Sequence, residues 1–84
     1  MISKVSSRFW KQFNELPQEI QELAYKNYLL WLKNLRHPSI HFKSFHRNLY
    51  SARVGDHYRA VGYFSAPDEF TWIWIGSHED YNKF

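Results

Sequence analysis

LYSARVGDHYRAVGYFSAPDEFTWIWIGSHEDYNKF, residues 49–84, decides the fold. Leu49 to Val54 reads as a strand and runs into a tight turn at Gly55-Asp56. Tyr58 to Phe64 reads as the next strand. Ala66-Pro67-Asp68-Glu69 makes the following turn, with the φ of proline already set for the bend. Phe70 to Ile75, rich in Trp and Ile, suits a pleated, half-buried surface. Strands joined by such short turns predict an antiparallel meander. Gly76-Ser77-His78 then opens a short final helix. Ser77 and Asp80 have the spacing of a capping box, with Asp in place of the usual Glu. That spacing also allows a purely structural account of Ser77-His78-Glu79-Asp80, as a helix start and nothing more.

Upstream, Ile40 to Phe45 reads as the first strand of the meander. Pro38 disfavours helix at His37, so the helix before it stops near Asn34 to Arg36. That helix begins at Pro17, whose missing N–H is harmless in a first turn. Glu19 and Glu22 suit its N-terminal end. Ile20, Leu23, Ala24, Tyr28, Trp31 and Leu35 give it a wide apolar stripe. An earlier helix is capped by Ser6 or Ser7, with Phe9, Trp10, Phe13 and Leu16 at helical spacing. Ile2 to Val5 is either a short edge strand or a loose end. The expected architecture is α+β: an N-terminal helical hairpin packed on a small antiparallel β-sheet, with a short C-terminal helix. At 84 residues, one domain over positions 1–84 is expected.

Four Trp, six Tyr and seven Phe supply bulky rings that fill a small core with few residues. So many rings also suggest a face covered by a partner. The chain has no cysteine, which excludes disulfides and thiolate chemistry. No apolar run approaches the roughly 18–20 residues of a membrane span, and MISKVSSRFWKQ lacks the apolar stretch of a signal peptide. A cytoplasmic protein is the expectation. The net charge of +3 is modest, but its distribution is uneven. Lys33, Arg36, Lys43, Arg47, Arg53 and Arg59 are six of the eleven Lys and Arg, and only one acid, Asp56, shares their segment. His37, His41, His46 and His57 fall there too. Such a patch attracts phosphates, or is simply a solvated basic surface.

RNA carries its own nucleophile, the 2′-OH. Cleavage needs a base for that hydroxyl, an acid for the departing 5′-oxygen, and cations for the charge that builds on phosphorus. His78 is the leading candidate acid, because an imidazole exchanges protons near neutral pH. Arg53 is the candidate cation, able to grip a phosphate bidentately; its structural alternative is a surface ion pair with Asp56 or Glu69. Arg59 either joins it, faces the other side of the sheet, or pairs with an acid. His41 and Lys43 alternate with Phe42, so both are expected to point away from the helices. Lys43 is then a phosphate contact and His41 a phosphate contact or the base, or both belong to an exposed polar face. Tyr81 stacks on a base or packs the final helix onto the sheet. The histidines lack a tight His-x-x-x-His pair with an acidic ligand, which argues against zinc. No Gly-rich phosphate loop is present. Neither a metal nor a small-molecule cofactor is expected.

Four segments, LPQEIQELA (16–24), HPSIHFKSF (37–45), YSARVGDHYRAVG (50–62) and WIWIGSHEDYNKF (72–84), resemble in order and spacing the RelE/ParE superfamily of bacterial toxins from type II toxin–antitoxin systems. The likeness extends over almost the whole chain. It implies a RelE-like fold, an antitoxin partner, and a ribosome or gyrase target. In ribosome-dependent members, mRNA in the decoding site is cut without a metal. Arg53 falls where those enzymes place a sheet arginine near the scissile phosphate. His78 and Tyr81 fall near their C-terminal acid and stacking residues, and His41 and Lys43 on a strand that often supplies basic residues. The catalytic set implied is His78, Arg53, Arg59 and His41, with Lys43, Arg47 and Tyr81 as RNA contacts. Two departures stand out: the family's N-terminal strand is short or missing, and the chain ends soon after the site. Gyrase-poisoning members share the fold without the nuclease residues, so a gyrase poison or a non-catalytic antitoxin-binding module are the alternatives.

Overall fold

The computed structural model describes residues 1–84. In chain order the elements are β1 (Ile2–Val5), α1 (Ser7–Asn14), α2 (Gln18–Lys33), β2 (Lys43–His46), β3 (Leu49–Val54), β4 (Tyr58–Ala66), β5 (Glu69–Ser77) and α3 (His78–Tyr81). The five strands form one sheet in the order β1-β5-β4-β3-β2. From β2 to β5 the pairing is antiparallel, as the turns predict. Of the two readings of Ile2–Val5, the short edge strand is the one observed: four residues at the margin of the sheet, running parallel to β5. α1, α2 and strands β2 to β4 lie between them in the chain, ample length for the crossover that a parallel pair requires.

Local chemistry sets the boundaries. Ser6 caps α1, its hydroxyl accepting the Phe9 N–H at 3.1 Å. Pro17 is the N-cap of α2, and its carbonyl accepts the Ile20 and Gln21 N–H groups. Asn34, extended, ends that helix. The strand expected over Ile40 to Phe45 begins only at Lys43. His41 takes a left-handed φ of 50°, which breaks the extended run. Ile40 is nevertheless fixed, its carbonyl accepting the Arg53 N–H at 2.7 Å. The two later strands are longer than the sequence indicates, reaching Ala66 and Ser77.

Alternation along the strands creates two different faces. Tyr50, Ala52 and Val54 of β3, Tyr58, Ala60 and Phe64 of β4, and Phe70, Trp72 and Ile75 of β5 all turn toward the helices. There they meet Trp31 and Ile40, each 1% exposed. Trp31 is the hub, edge-on to Phe70 and to Trp72 with ring centroids 5.4 and 5.1 Å away. Fully burying a ring of this size accounts for about 3–5 kcal/mol in truncation terms. The irregularity between Val61 and Gly62 leaves Ile73 without a partner in β4. This lets Trp72 and Ile75 both face the helices although they are three apart.

The other face carries Ser51, Arg53, Arg59, Val61, Trp74 and Gly76. Only α3 and the residues after it cross this face. Val61 is fully buried there. It lies between Ser51 and Trp74 in register, and Tyr81 and Phe84 reach over those two neighbours.

Candidate functional site

Gly55, at φ 64°, turns β3 into β4. A left-handed position of this kind is cheap only for glycine. The turn sets Val54 opposite Tyr58 and therefore Arg53 opposite Arg59; Arg59 in turn lies opposite Gly76 of β5. Arg53, Arg59 and Gly76 form a row across three strands on the face away from the helices. Strands lie about 4.8 Å apart, so the row spans roughly 10 Å from β3 to β5. Of the alternatives for Arg59, the opposite face and an acidic partner are both corrected. It shares the Arg53 face, and no carboxylate lies within ion-pair distance of it. Its guanidinium instead donates to the Tyr58 carbonyl at 2.8 Å.

Arg53 is held on three sides. Its Nε donates to the Gly55 carbonyl at 3.1 Å. One terminal nitrogen lies 3.4 Å from His41 Nε2, and the other is paired with Asp56. The ion pair weighed as its structural alternative is therefore present with Asp56, whereas Glu69 pairs with Lys4 at 3.2 Å. The Arg53 side chain keeps 34% of its exposure, and Asp56 keeps 77%. An ion pair that exposed is worth at most about 1 kcal/mol and leaves the guanidinium available to a stronger anion. Asn27 of α2 donates to the Arg53 carbonyl at 3.2 Å, tying this strand to the helical layer. Leu23, Asn27, Pro38, Ser39, His41, Arg53, Gly55 and Asp56 together line an open groove at this end of the sheet.

Lys43 pairs in register with Ser51, so it shares the face of Arg53, and it is exposed. His41, which precedes β2 and so falls outside the strand alternation expected for it, reaches Arg53 through its Nε2 and lines the same groove. Arg47 is not gathered with them. It sits in the turn between β2 and β3, at φ 50°, beyond Leu49. Leu49 and Arg53 are four steps apart along the strand, about 13 Å.

His78 is the first residue of α3, with Ser77 as its N-cap; the Ser77 hydroxyl accepts the Asp80 N–H at 3.2 Å. The helix is pinned at that point, because the His78 N–H donates to the His57 carbonyl, across the β3–β4 turn, at 2.7 Å. His78 thus follows two residues after Gly76, at the β5 end of the cationic row. Its Nδ1 is 3.4 Å from the Asn82 side-chain nitrogen. Tyr81 packs on the sheet: its hydroxyl donates to Ser51 Oγ at 3.1 Å, and its ring lies 4.9 Å from that of Phe45. No three His, Asp or Glu side chains cluster closely enough to hold a metal ion. Two residues escaped the reading of the sequence. Asn27 fixes the Arg53 strand, and nothing local marks it. Trp74 lies beside Arg59, and only the irregularity at Val61 turns it to this face.

No family model matches the chain, and no curated protein matches it. Solved structures do. It superposes on a YoeB/ParE toxin from Agrobacterium tumefaciens with a TM-score of 0.73 at 12% identity, covering 93% of this chain and 99% of that one. It superposes on a chain of the RelB–RelE antitoxin–toxin complex from Methanococcus jannaschii with a TM-score of 0.71 at 19% identity, covering 96% and 98%. The isolated RelE toxin of E. coli gives 0.67 at 17%, covering 98% and 92%. The chain therefore has the fold shared by RelE and ParE toxins. No helix is long and apolar enough to cross a membrane.

Proposed function

We propose that this RelE/ParE-fold chain acts, as one domain, as the toxin of a type II toxin–antitoxin pair, and that it cuts mRNA on the ribosome without a metal. The observation that carries the reading is the row formed by Arg53 and Arg59 on the face away from the helices, flanked by His41 at one end and His78 at the other. A gyrase-binding protein has no use for that set. The residues divide the reaction as follows. His41 takes the proton of the 2′-OH, whose oxygen bonds to phosphorus. Arg53 and Arg59 hold the phosphate oxygens as charge builds on them. His78 protonates the departing 5′-oxygen, leaving a 2′,3′-cyclic phosphate and a free 5′-hydroxyl. Lys43 binds a neighbouring phosphate. The partner that restrains the toxin is its antitoxin, which many such systems supply as a segment that orders on binding.

Primer extension on transcripts after induction, wild type beside His78→Ala and Arg53→Ala, tests this. Wild type should arrest growth and leave discrete cuts in translated messages. Both variants should lose toxicity and cleavage while keeping the fold by circular dichroism. Full toxicity in both would sink the assignment. A DNA-damage response without message cleavage would point to gyrase. Harmless expression with tight antitoxin binding would point to a non-catalytic module.

A further inference from the structure

The proposed cleavage chemistry leaves Trp74 without a role. It is half-buried and stands apart from the helix-side core, on the face that carries Arg53 and Arg59. Its indole is folded back along its own strand toward Gly76. A methyl group built at position 76 would lie 2.6 Å from Trp74 Cζ2 and 3.0 Å from Cη2. The absence of a side chain at Gly76 is thus what lets the six-membered ring lie there. Gly76 is the register partner of Arg59, so the ring lies over the strand next to Arg59, whose backbone is about 4.8 Å from that of Gly76.

Several other rings have packing roles. Trp31 and Trp72 are 1% and 5% exposed within the core. Tyr81 has its hydroxyl on Ser51 and its ring against Phe45. Phe84 meets Trp74 at 84° with centroids 5.0 Å apart, an edge-to-face contact that steadies the indole. We propose that Trp74 is a stacking platform for a nucleobase of single-stranded RNA whose phosphate is held by Arg53 and Arg59; this rests on the RNA-directed reading given above. Stacking on an indole tolerates any base, because every base has a π-face. Trp74 supplies grip next to the reacting phosphate rather than sequence choice.

Tryptophan fluorescence tests this in a Trp10→Phe background, which removes the exposed indole of α1. The indoles of Trp31 and Trp72 are shielded, so changes on titration report Trp74. The probes are a short single-stranded RNA and an abasic ribose-phosphate oligomer of the same length. The RNA should quench the emission and the abasic oligomer should not. Trp74→Leu should weaken RNA binding roughly tenfold, within the range known for loss of one stacked base, and leave abasic binding unchanged. Gly76→Ala, whose methyl displaces the indole, should reproduce the loss. Equal weakening toward both oligomers would reduce Trp74 to a cover for the sheet and overturn the proposal. So would unchanged RNA binding, or a wild type that binds neither oligomer. Message cleavage is scored separately by primer extension. A protein that cleaves without base-dependent quenching loses the platform alone, whereas one that stacks a base but leaves messages intact loses the nuclease reading.

Discussion

Replacing Asp56 by Asn removes a carboxylate from the guanidinium that the proposed chemistry assigns to the phosphate. In the unliganded protein Asp56 is paired with Arg53, and an incoming phosphate meets the same guanidinium. Two anions sharing one guanidinium sit about 5–6 Å apart, which corresponds to roughly 0.7 kcal/mol of repulsion in water and about 3 kcal/mol at an effective dielectric of 20. Asp56 keeps 77% of its exposure, so the low end applies. A gain of about 1 kcal/mol, or some fivefold in affinity at low salt, is expected. Arg53 remains oriented, because its Nε still donates to the Gly55 carbonyl. The assay is binding of a short single-stranded RNA, with Asp68→Asn as control. Asp68 lies in the turn at the other end of β4, about 27 Å away along the strand and beyond the screening length. Tightening by Asp56→Asn alone is the expected result. Unchanged or weaker binding, or equal tightening by both variants, would refute the idea that phosphate and Asp56 compete for Arg53.

Three further outcomes follow from the packing. Asn27→Ala removes the tether from α2 to the Arg53 carbonyl and should cost about 1 kcal/mol in denaturant unfolding, with a larger proportional loss of RNA cleavage than of stability. Gly62→Ala places a methyl 2.8 Å from Phe70 Cζ and against the Thr71 carbonyl, an overpacking that should cost about 1–3 kcal/mol or more, read as a lowered Tm. The Ser65 hydroxyl, with Lys4 beside it, holds the Glu69 carboxyl below its ordinary value of 4.5. A carboxyl whose folded value is depressed stabilises the fold above its unfolded value and loses that contribution as pH falls through the folded one. Tm measured from pH 6 downward should therefore fall less steeply in Ser65→Ala than in wild type.

Much of this molecule is legible in its residues. The hairpin at Gly55-Asp56, the capping serines and the stripe of α2 are local signals, and each appears where its chemistry predicts. The shared face of Arg53 and Arg59 is only half legible, because the sequence leaves Arg59 free to face either side until the register is known. The hairpin turns about Asp56, and residues three before and three after it stand opposite one another. β1 is a different matter. Its four residues of mixed polarity allow either a short edge strand or a loose end, and the ladder that β5 offers decides for the strand. The late start of β2 reflects the left-handed turn at His41, which the Arg53 N–H on the Ile40 carbonyl stabilises from outside the segment. Trp74 is hidden for a related reason. Strict alternation from Phe70 assigns it to the helix side, and only the unpaired Ile73 reverses the phase.

The outline of the sheet has a consequence for how molecules of this chain meet one another. Its two long strands, of nine residues each, lie inside the sheet, whereas both outer strands have only four. One of those outer strands is also interrupted by an irregularity between Ser44 and His46. A border so brief offers few free backbone donors and acceptors to a neighbouring molecule, and short or bulged margins are a common defence against sheet-to-sheet stacking. Concentrated solutions should accordingly stay free of fibres, and an interior hairpin unzipped at either margin would be the first species to seed them.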